Sequence, residues 1–280
     1  MVVQALRHRV ADTVIGMVAE ADRGPRVPRA ADDPGMIARD SVAWAVHGDF
    51  TTMMIGGTAA LLMQMLHPAA LAGVWDHSSF SGDASGRLRR TAQFIAGTTY
   101  GSAEEAEALV ALVRRIHDRI HGQLPDGTHY DANDPALLTF VHVAGALAFV
   151  DAYHRYKAPL SRAEQDRYFV ETAAVARGLG AVDVPETRAA ADAVLDGVRE
   201  TLRSDRRTRA TVRSILGQTP PHPALAPVMR TIMHAGIDLL PDWAAAQHGL
   251  HLAPHQRLAA RTGARGIGSM LRWALAAKAA

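Results

Sequence analysis

Apolar residues recur with the period of an α-helix along most of this chain. Between Leu109 and Ile120 they are spaced by four, three and four residues, which places them on one helical face. The segments 51–66 and 136–153 are apolar on nearly every side, which is typical of helices enclosed by other helices. No stretch shows the sustained alternation of a β-strand. The pattern therefore predicts an all-α fold.

Capping signals divide the helical pattern into elements. Ser102 and Ser161 each precede a glutamate by three residues, the spacing of a capping box, and Asp134-Pro135 joins an N-cap to a proline at the first helical position. Gly122 is expected to end the helix that follows Ser102. The predicted helices cover approximately residues 36–46, 51–67, 103–121, 136–153, 161–178, 185–203, 224–239 and 258–278.

Proline-rich breaks divide the chain into three parts. Residues 22–36 carry three prolines and two glycines, and residues 219–223 read Thr-Pro-Pro-His-Pro. We therefore predict an N-terminal helix and irregular arm over 1–36, a single helical domain over 37–220, and C-terminal helices over 221–280 packed on it. A chain of 280 residues is long enough to bury a core of this size without covalent cross-links.

The histidine and cysteine content limits the chemistry that this chain can perform. The chain has 14 His and 0 Cys. The missing cysteines exclude disulfides, cysteine-ligated zinc or iron–sulfur sites, a thiolate haem ligand and a cysteine nucleophile. Imidazole chemistry remains: acid–base catalysis, haem ligation, or a metal site of histidines and carboxylates.

Charge and motifs remove several further classes. The formal net charge is only +2, and the basic run 203–209 has no interleaved aromatic residue, so nucleic-acid binding is not expected. Gly-x-Ser-x-Gly and Gly-x-Gly-x-x-Gly are both absent. The longest apolar run, 51–66, is shorter than the roughly 20 residues of a membrane span. No secretory signal is evident. We expect a cytoplasmic protein with no transmembrane span, for which contact with a membrane surface stays open.

Three histidines are candidates for a ligand or a catalytic group. His117 lies on the flank of the apolar stripe, and His121 follows it by one helical turn, so both are expected on one face. The glutamate of the zinc-protease signature is absent between them. His142 lies inside an apolar helix, where an unpaired ring would be costly. Each can also be a core histidine with a structural hydrogen bond, and His121 can also complement a helix C-terminus.

A basic cluster precedes these histidines. Arg87, Arg90 and Thr91 are spaced so that they share one helix face. Two guanidinium groups and a hydroxyl can clamp carboxylates, either haem propionates or an acidic substrate, although they can also be plain surface charge. His67 ends an apolar helix containing Gly56-Gly57, a pair that permits close approach of another helix or a flat ligand.

Ten short motifs follow one another along the chain, and together they resemble a known family. Their order and spacing, over roughly residues 37–190, resemble the MpaB-type oxygenase family, whose relatives include the rubber oxygenases called latex clearing proteins. The motifs are Gly48-Asp49, Gly56-Gly57, Leu61-Leu62-Met63-Gln64, His67-Pro68, His77-Ser78, Arg87-x-x-Arg90-Thr91, Gly101-Ser102-x-Glu104-Glu105-Ala106, His117-x-x-Ile120-x-Gly122, Gly127-x-x-Tyr130-x-Ala132-x-Asp134-Pro135 and Val141-His142.

The resemblance implies an all-helical fold that binds haem b through a histidine. It also implies the use of O₂ to cleave carbon–carbon double bonds of isoprenoid chains. Carried over by position, His117 is the expected iron ligand, with His121 as the alternative. His67 and His142 are expected near the haem.

The resemblance also assigns the basic cluster to the haem. Arg87, Arg90 and Thr91 match a motif beside the haem, so they are expected to bind the cofactor, with Arg90 and Thr91 acting in catalysis. Latex clearing proteins have a lysine at the position of Arg90. An arginine stays protonated and is a poor iron ligand, so we expect Arg90 to donate hydrogen bonds to a propionate or to bound O₂.

These expectations define one function and its alternatives. The first is a haem b-dependent oxygenase that uses O₂ on an apolar, isoprenoid-like substrate, served by an unidentified electron donor. A haem peroxidase and a haem-based sensor keep the cofactor but not the oxygenation. A helical binder of an apolar ligand would need no haem.

Overall fold

The computed structural model describes residues 29–77, 84–220 and 222–276. This part of the chain contains twelve α-helices and one small two-stranded sheet, which confirms the predicted all-α class. The N-terminal helix predicted before the irregular arm lies outside the described residues.

Helices follow one another with short connections. Two 3₁₀ turns (Arg199–Thr201 and Pro223–Leu225) accompany them, and the strands β1 and β2 form an antiparallel hairpin. The elements are α1 (Val42–His47), α2 (Phe50–Gln64), α3 (Pro68–His77), α4 (Ala84–Tyr100), α5 (Ala103–His117), β1 (His121–Gln123), β2 (His129–Asp131), α6 (Pro135–Tyr156), α7 (Arg162–Leu179), α8 (Arg188–Val198), α9 (Arg206–Leu216), α10 (Ala226–Leu239), α11 (Asp242–His248) and α12 (Pro254–Leu275).

Two apolar helices form the centre of the fold. Helices α2 and α6 pack directly against each other, with α10 and α12 on α2 and with α7 and α8 on α6. Their contact is tight at Gly56, where an added Cβ would lie 2.9 Å from the carbonyl oxygen of Ala148 and 3.0 Å from the Cα of Phe149. Gly56 therefore serves the close approach of a second helix.

Helix α6 is long and apolar enough to span a membrane by length and composition. It is the single helix in the described ranges that passes this test alone, and 67% of its most apolar window is buried inside the fold. Such burial is typical of the core helix of a globular domain.

The helix predicted from residue 51 past His67 is broken at its end. Helix α2 stops at Gln64, and α3 starts at Pro68 after a bend of 103°. Proline has no N–H for a continuing helix and clashes with the preceding turn, so the chain changes direction there. His67 lies at the corner between the two helices.

The prediction of one helix through His121 is wrong. Helix α5 ends at His117, and His121 begins strand β1. After the helix, the backbone N–H of Ala132 donates to the carbonyl of Ile120 at 2.9 Å, which draws the chain into the hairpin. His117 and His121 therefore do not share a helical face.

Gly122 has a different role from the predicted helix end. It pairs with Tyr130 across the two strands, and an added Cβ would lie 2.9 Å from the Tyr130 hydroxyl oxygen. The absence of a side chain leaves room for this ring. Strands of three residues with polar ends give no sustained alternation, which explains why the pattern missed the hairpin.

Helix ends with a capping side chain match the prediction most closely. Ser102 and Asp134 accept hydrogen bonds from the first turns of α5 and α6, and Ser161 forms the complete capping box at α7. The helix predicted over 36–46 instead begins at Val42, after the N-cap Ser41. Helices α9 and α11 were not predicted, and α12 begins at Pro254, four residues early.

A buried carboxylate ties the C-terminal helices to the core. The Asp238 side chain on α10 is fully buried, and it accepts hydrogen bonds from Arg155 on α6 and Arg261 on α12 at 3.2 and 2.7 Å. The Tyr156 hydroxyl donates to the same carboxylate at 3.2 Å. One side chain thus joins three helices.

Candidate active site

The α4–α5 hairpin brings two of the predicted motifs to one end. The helices pack as neighbours, and a side chain at Gly97 would collide with Leu109 Cδ1. Arg90 precedes Gly97 by seven residues on α4, and His117 follows Leu109 by eight residues on α5. Since a helix rises 1.5 Å per residue, Arg90 lies about 10 Å and His117 about 12 Å from this contact. Both residues lie on the side of the contact that is away from the α4–α5 connection. The basic motif and His117 therefore share one end of the hairpin.

The predicted residues at this end differ in exposure. Arg90 and Thr91 are exposed, and His117, the last residue of α5, is half-buried. Arg87 belongs to the first turn of α4, and its side chain lies outside the described part. This end of the hairpin thus presents cationic and hydroxyl groups to solvent beside a partly enclosed imidazole.

His121 occupies a more open place. It is exposed in β1 and lines a shallow groove with His129, Asp131 and Asp134. Among the residues that the structure describes, no three or more histidines and carboxylates are placed to hold a metal ion. A haem iron needs a single protein imidazole, so this finding bears only on a bare metal ion.

His142 is the most unusual of the predicted residues. Its Nε2 is buried and has no hydrogen-bond partner within the described ranges. Burial, and then the charge of Arg177 on α7, lower the pKa of His142 to about 4. The ring is therefore neutral at physiological pH, as a metal-binding imidazole must be.

Space adjoins this imidazole on the same helix. Gly145, one turn after His142, is buried, and an added Cβ would meet only Phe149 Cε2, at 3.7 Å, among the described atoms. At Gly56 in α2, by contrast, the neighbouring helix leaves no room for an added Cβ. Among the described residues, the face of α6 that carries His142 is therefore not fully packed.

A second histidine, His47, neighbours His142 and was not predicted from the sequence. His47 at the end of α1 places Nδ1 2.8 Å from the Thr99 hydroxyl and Nε2 2.9 Å from the Tyr168 hydroxyl. Burial and the neighbouring His142 lower the pKa of His47 to about 4. No local pattern marks His47, because α4 and α7 supply its partners from distant parts of the chain.

His67 forms a third site of this kind at the α2–α3 corner. Its ring lies on Phe140, with 4.9 Å between ring centroids, and its Nδ1 is buried without a partner in the part described. Burial lowers the pKa of His67, a shift that Asp134 opposes and Arg203 reinforces.

These features can be compared with what a b-type haem requires. A haem needs a neutral imidazole, apolar walls and cations for two propionates. Within the described residues, the Nε2 of His142 has no partner and adjoins open space, His117 is half-buried, and Arg90 is exposed at the end of the α4–α5 hairpin. The residues present therefore fit the group. The fold and the site define an all-helical domain with buried neutral imidazoles between apolar helices.

Comparison with known families gives the identity of this domain. Residues 44–273 match the catalytic domain described as ER-bound oxygenase mpaB/B′ and rubber oxygenase. The chain belongs to this family, as the motifs predicted, and it carries an oxygenase domain of the oxidoreductase class. The match extends past residue 190 to include the helices α8–α12. The curated proteins and the solved structures gave no match.

Proposed function

We propose that this oxygenase depends on haem b and uses O₂ to oxidise or cleave a C=C bond of an apolar, isoprenoid-like substrate. Family membership supports the oxygenase class. The observation that best supports haem binding is the neutral imidazole of His142, whose buried Nε2 has no partner in the described chain. A buried polar atom without a partner costs about 1–3 kcal/mol, a cost that a bound group would offset.

Each part of the site has a task in this proposal. His117 would hold the iron, and His142 presents its neutral imidazole to the space beside Gly145. Arg87 and Arg90 neutralise the propionates, and Arg90 and Thr91 donate hydrogen bonds towards O₂. When bound, the haem supplies the iron that binds and activates O₂. The apolar faces of α2 and α6 exclude water.

The proposed cleavage balances without a further reductant, whereas oxidation of the C=C bond by a single oxygen atom would take two electrons from the unidentified electron donor to reduce the other oxygen atom to water. An alkene that is cut into two carbonyl groups takes up both oxygen atoms of O₂. The residues of the chain then need only to place the double bond and to hold O₂ polarised beside it. Electrostatic donors such as Arg90 act best at the point where negative charge develops on oxygen.

Absorbance of the protein purified from haem-supplemented cells tests the cofactor. We expect a Soret band and, by pyridine haemochrome assay, about one b-type haem per chain. A colourless protein that takes up no added haemin would contradict the proposal and favour a haem-free binder. O₂-dependent loss of an isoprenoid or carotenoid, against peroxide-dependent oxidation of a dye, separates an oxygenase from a peroxidase.

Replacement of His117 tests the ligand. We expect His117→Ala to lose haem while circular dichroism stays helical, because the variant lacks the imidazole that would hold the haem. His121→Ala is the matched control, because it removes an imidazole only four residues after His117. His121 is exposed in β1, so this variant should retain haem. Full haem occupancy in His117→Ala would exclude His117, and His142 would be the next ligand to test.

A further inference from the structure

The outer face of helix α12 combines exposed apolar side chains with a one-sided charge. Leu258, Met270 and Trp273 are exposed by 63%, 45% and 44%. At 100° per residue, Trp273 points 60° from Leu258 and Met270 a further 60° on, so the three side chains share a helix face about 120° wide. They form a stripe about 22 Å long along the helix, which we call the α12 stripe.

The charges along α12 are all positive. The helix Pro254–Leu275 contains four arginines, Arg257, Arg261, Arg265 and Arg272, and no aspartate or glutamate. By the same helical geometry, the four arginines follow one flank of the α12 stripe. A cationic flank beside an apolar stripe is the pattern of helices that lie in the interface of an anionic membrane.

Three of these arginines are paired with carboxylates, and two of those carboxylates lie beneath the surface. Asp238 and Asp49, the partners of Arg261 and Arg272, have side chains that are 0% and 2% exposed. The neighbouring helix α10 has Asp238 as its single acid. Asp242, next to Arg257 at the start of α12, is the one exposed carboxylate paired with this flank in the described chain.

Arg265 is the arginine with the least neutralisation. Its Nε and Nη2 donate to the backbone carbonyl of Arg155, at 3.2 and 2.9 Å, so its charge meets a neutral acceptor. The residue is exposed midway along α12. A phosphate oxygen can therefore approach it without displacing a carboxylate.

We propose that the α12 stripe and its arginine flank dock this protein on the surface of a membrane that contains anionic phospholipid. The apolar side chains enter the boundary between headgroups and acyl chains, and the arginines meet the phosphates. The positive charge favours a lipid surface over a second copy of the chain, which would place two rows of arginines together. The binding needs no haem, so it can be tested apart from the proposed chemistry.

Co-sedimentation with vesicles tests the docking. We expect the purified full chain to bind phosphatidylcholine vesicles that contain phosphatidylglycerol and to bind pure phosphatidylcholine several-fold less. The double variant L258E/M270E should lose most of the binding, because two carboxylates enter the stripe. R265Q should weaken the binding and reduce its dependence on salt.

A control variant tests whether vesicle binding requires the α12 stripe or only exposed apolar side chains in general. Val170 and Val182 are exposed by 52% and 50% away from α12, so V170E/V182E should bind vesicles as the unmodified chain does. Circular dichroism and haem content check that every variant is folded. Absence of binding, equal binding to neutral vesicles, or equal loss in V170E/V182E would overturn the proposal. So would a dimer, detected by light scattering, that L258E/M270E converts to a monomer.

Discussion

At the scale of single residues, burial decides the protonation state of the histidines. His47, His67 and His142 all have a lowered pKa, with burial as the largest cause. A neutral imidazole offers a lone pair to a metal and an N–H to an acceptor, whereas the charged form offers no lone pair. These three rings are therefore available as neutral ligands or hydrogen-bond partners at physiological pH.

This burial makes stability depend on pH. The folded pKa of His47 and of His142 is about 4, below the ordinary 6.5, so unfolding takes up protons between these values. Stability is therefore full above pH 6.5 and falls as the pH drops towards 4, by at most about 3 kcal/mol per histidine. Urea unfolding across this range measures the loss.

The variant His142→Leu isolates one of these groups. It removes one titrating ring, so the fall in stability towards pH 4 should be shallower by up to one proton. His251→Leu, at an exposed histidine, is the control for the removal of a histidine as such. If the free energy of unfolding falls with pH at the same rate in the unmodified chain and in both variants, the pH effect does not come from His142.

At the scale of elements, the α2–α6 contact depends on a missing side chain. Gly56→Ala should destabilise the fold by about 1–3 kcal/mol, because the new methyl group overlaps Ala148 and Phe149. Gly197→Ala in α8 is the control: nothing lies within 4 Å of its Cβ position, so it should stabilise by about 0.5–1 kcal/mol. Urea midpoints that shift in the same direction for both would refute the close-contact argument.

The Asp238 cluster should behave as a tie between elements. Asp238→Ala leaves Arg155 and Arg261 without their buried carboxylate, and we expect a loss of about 3 kcal/mol. Asp242→Ala removes a carboxylate that is 86% exposed, so the loss should stay within about 1 kcal/mol. Thermal unfolding of both variants measures the difference, and equal losses would count against the tie.

The sequence predicted elements where the signal is local. Side-chain caps at Ser102, Asp134 and Ser161 each need only residues within one turn, and all three were found. The hairpin after His117 depends on pairing between residues that lie up to ten positions apart, and its strands are too short for alternation. His121 was misplaced for this reason.

The candidate site divides in the same way. The ordered motifs identified the family and pointed to His117 and His142. They gave no sign of His47, whose ring is held by Thr99 and Tyr168 from helices 52 and 121 residues away. Contacts of this kind appear only when the helices are assembled.

At the scale of the whole molecule, the C-terminal helices complete the core. Ile55, Ala152 and Tyr156 from the central helices form one buried cluster with Ile232 and Ala264 from α10 and α12. We therefore expect the full chain to unfold in one transition, and a chain that ends at residue 220 to lose cooperative unfolding. Denaturant titration with circular dichroism tests this, and a truncated chain with unchanged cooperative unfolding would refute it.

Asp49 links the beginning of the central helix to the end of the chain. One of its oxygens caps α2 by accepting from Thr52, and the other accepts from Arg272, which follows 223 residues later. At roughly 5–20 residues per second, a ribosome needs about ten to forty-five seconds to make that distance. During this time α2 and Lys157, which lies 4.0 Å from the Asp49 carboxylate, are already synthesised, while Arg272 is not. Such long-range closure makes folding slow and gives chaperones an extended period to act on the nascent chain.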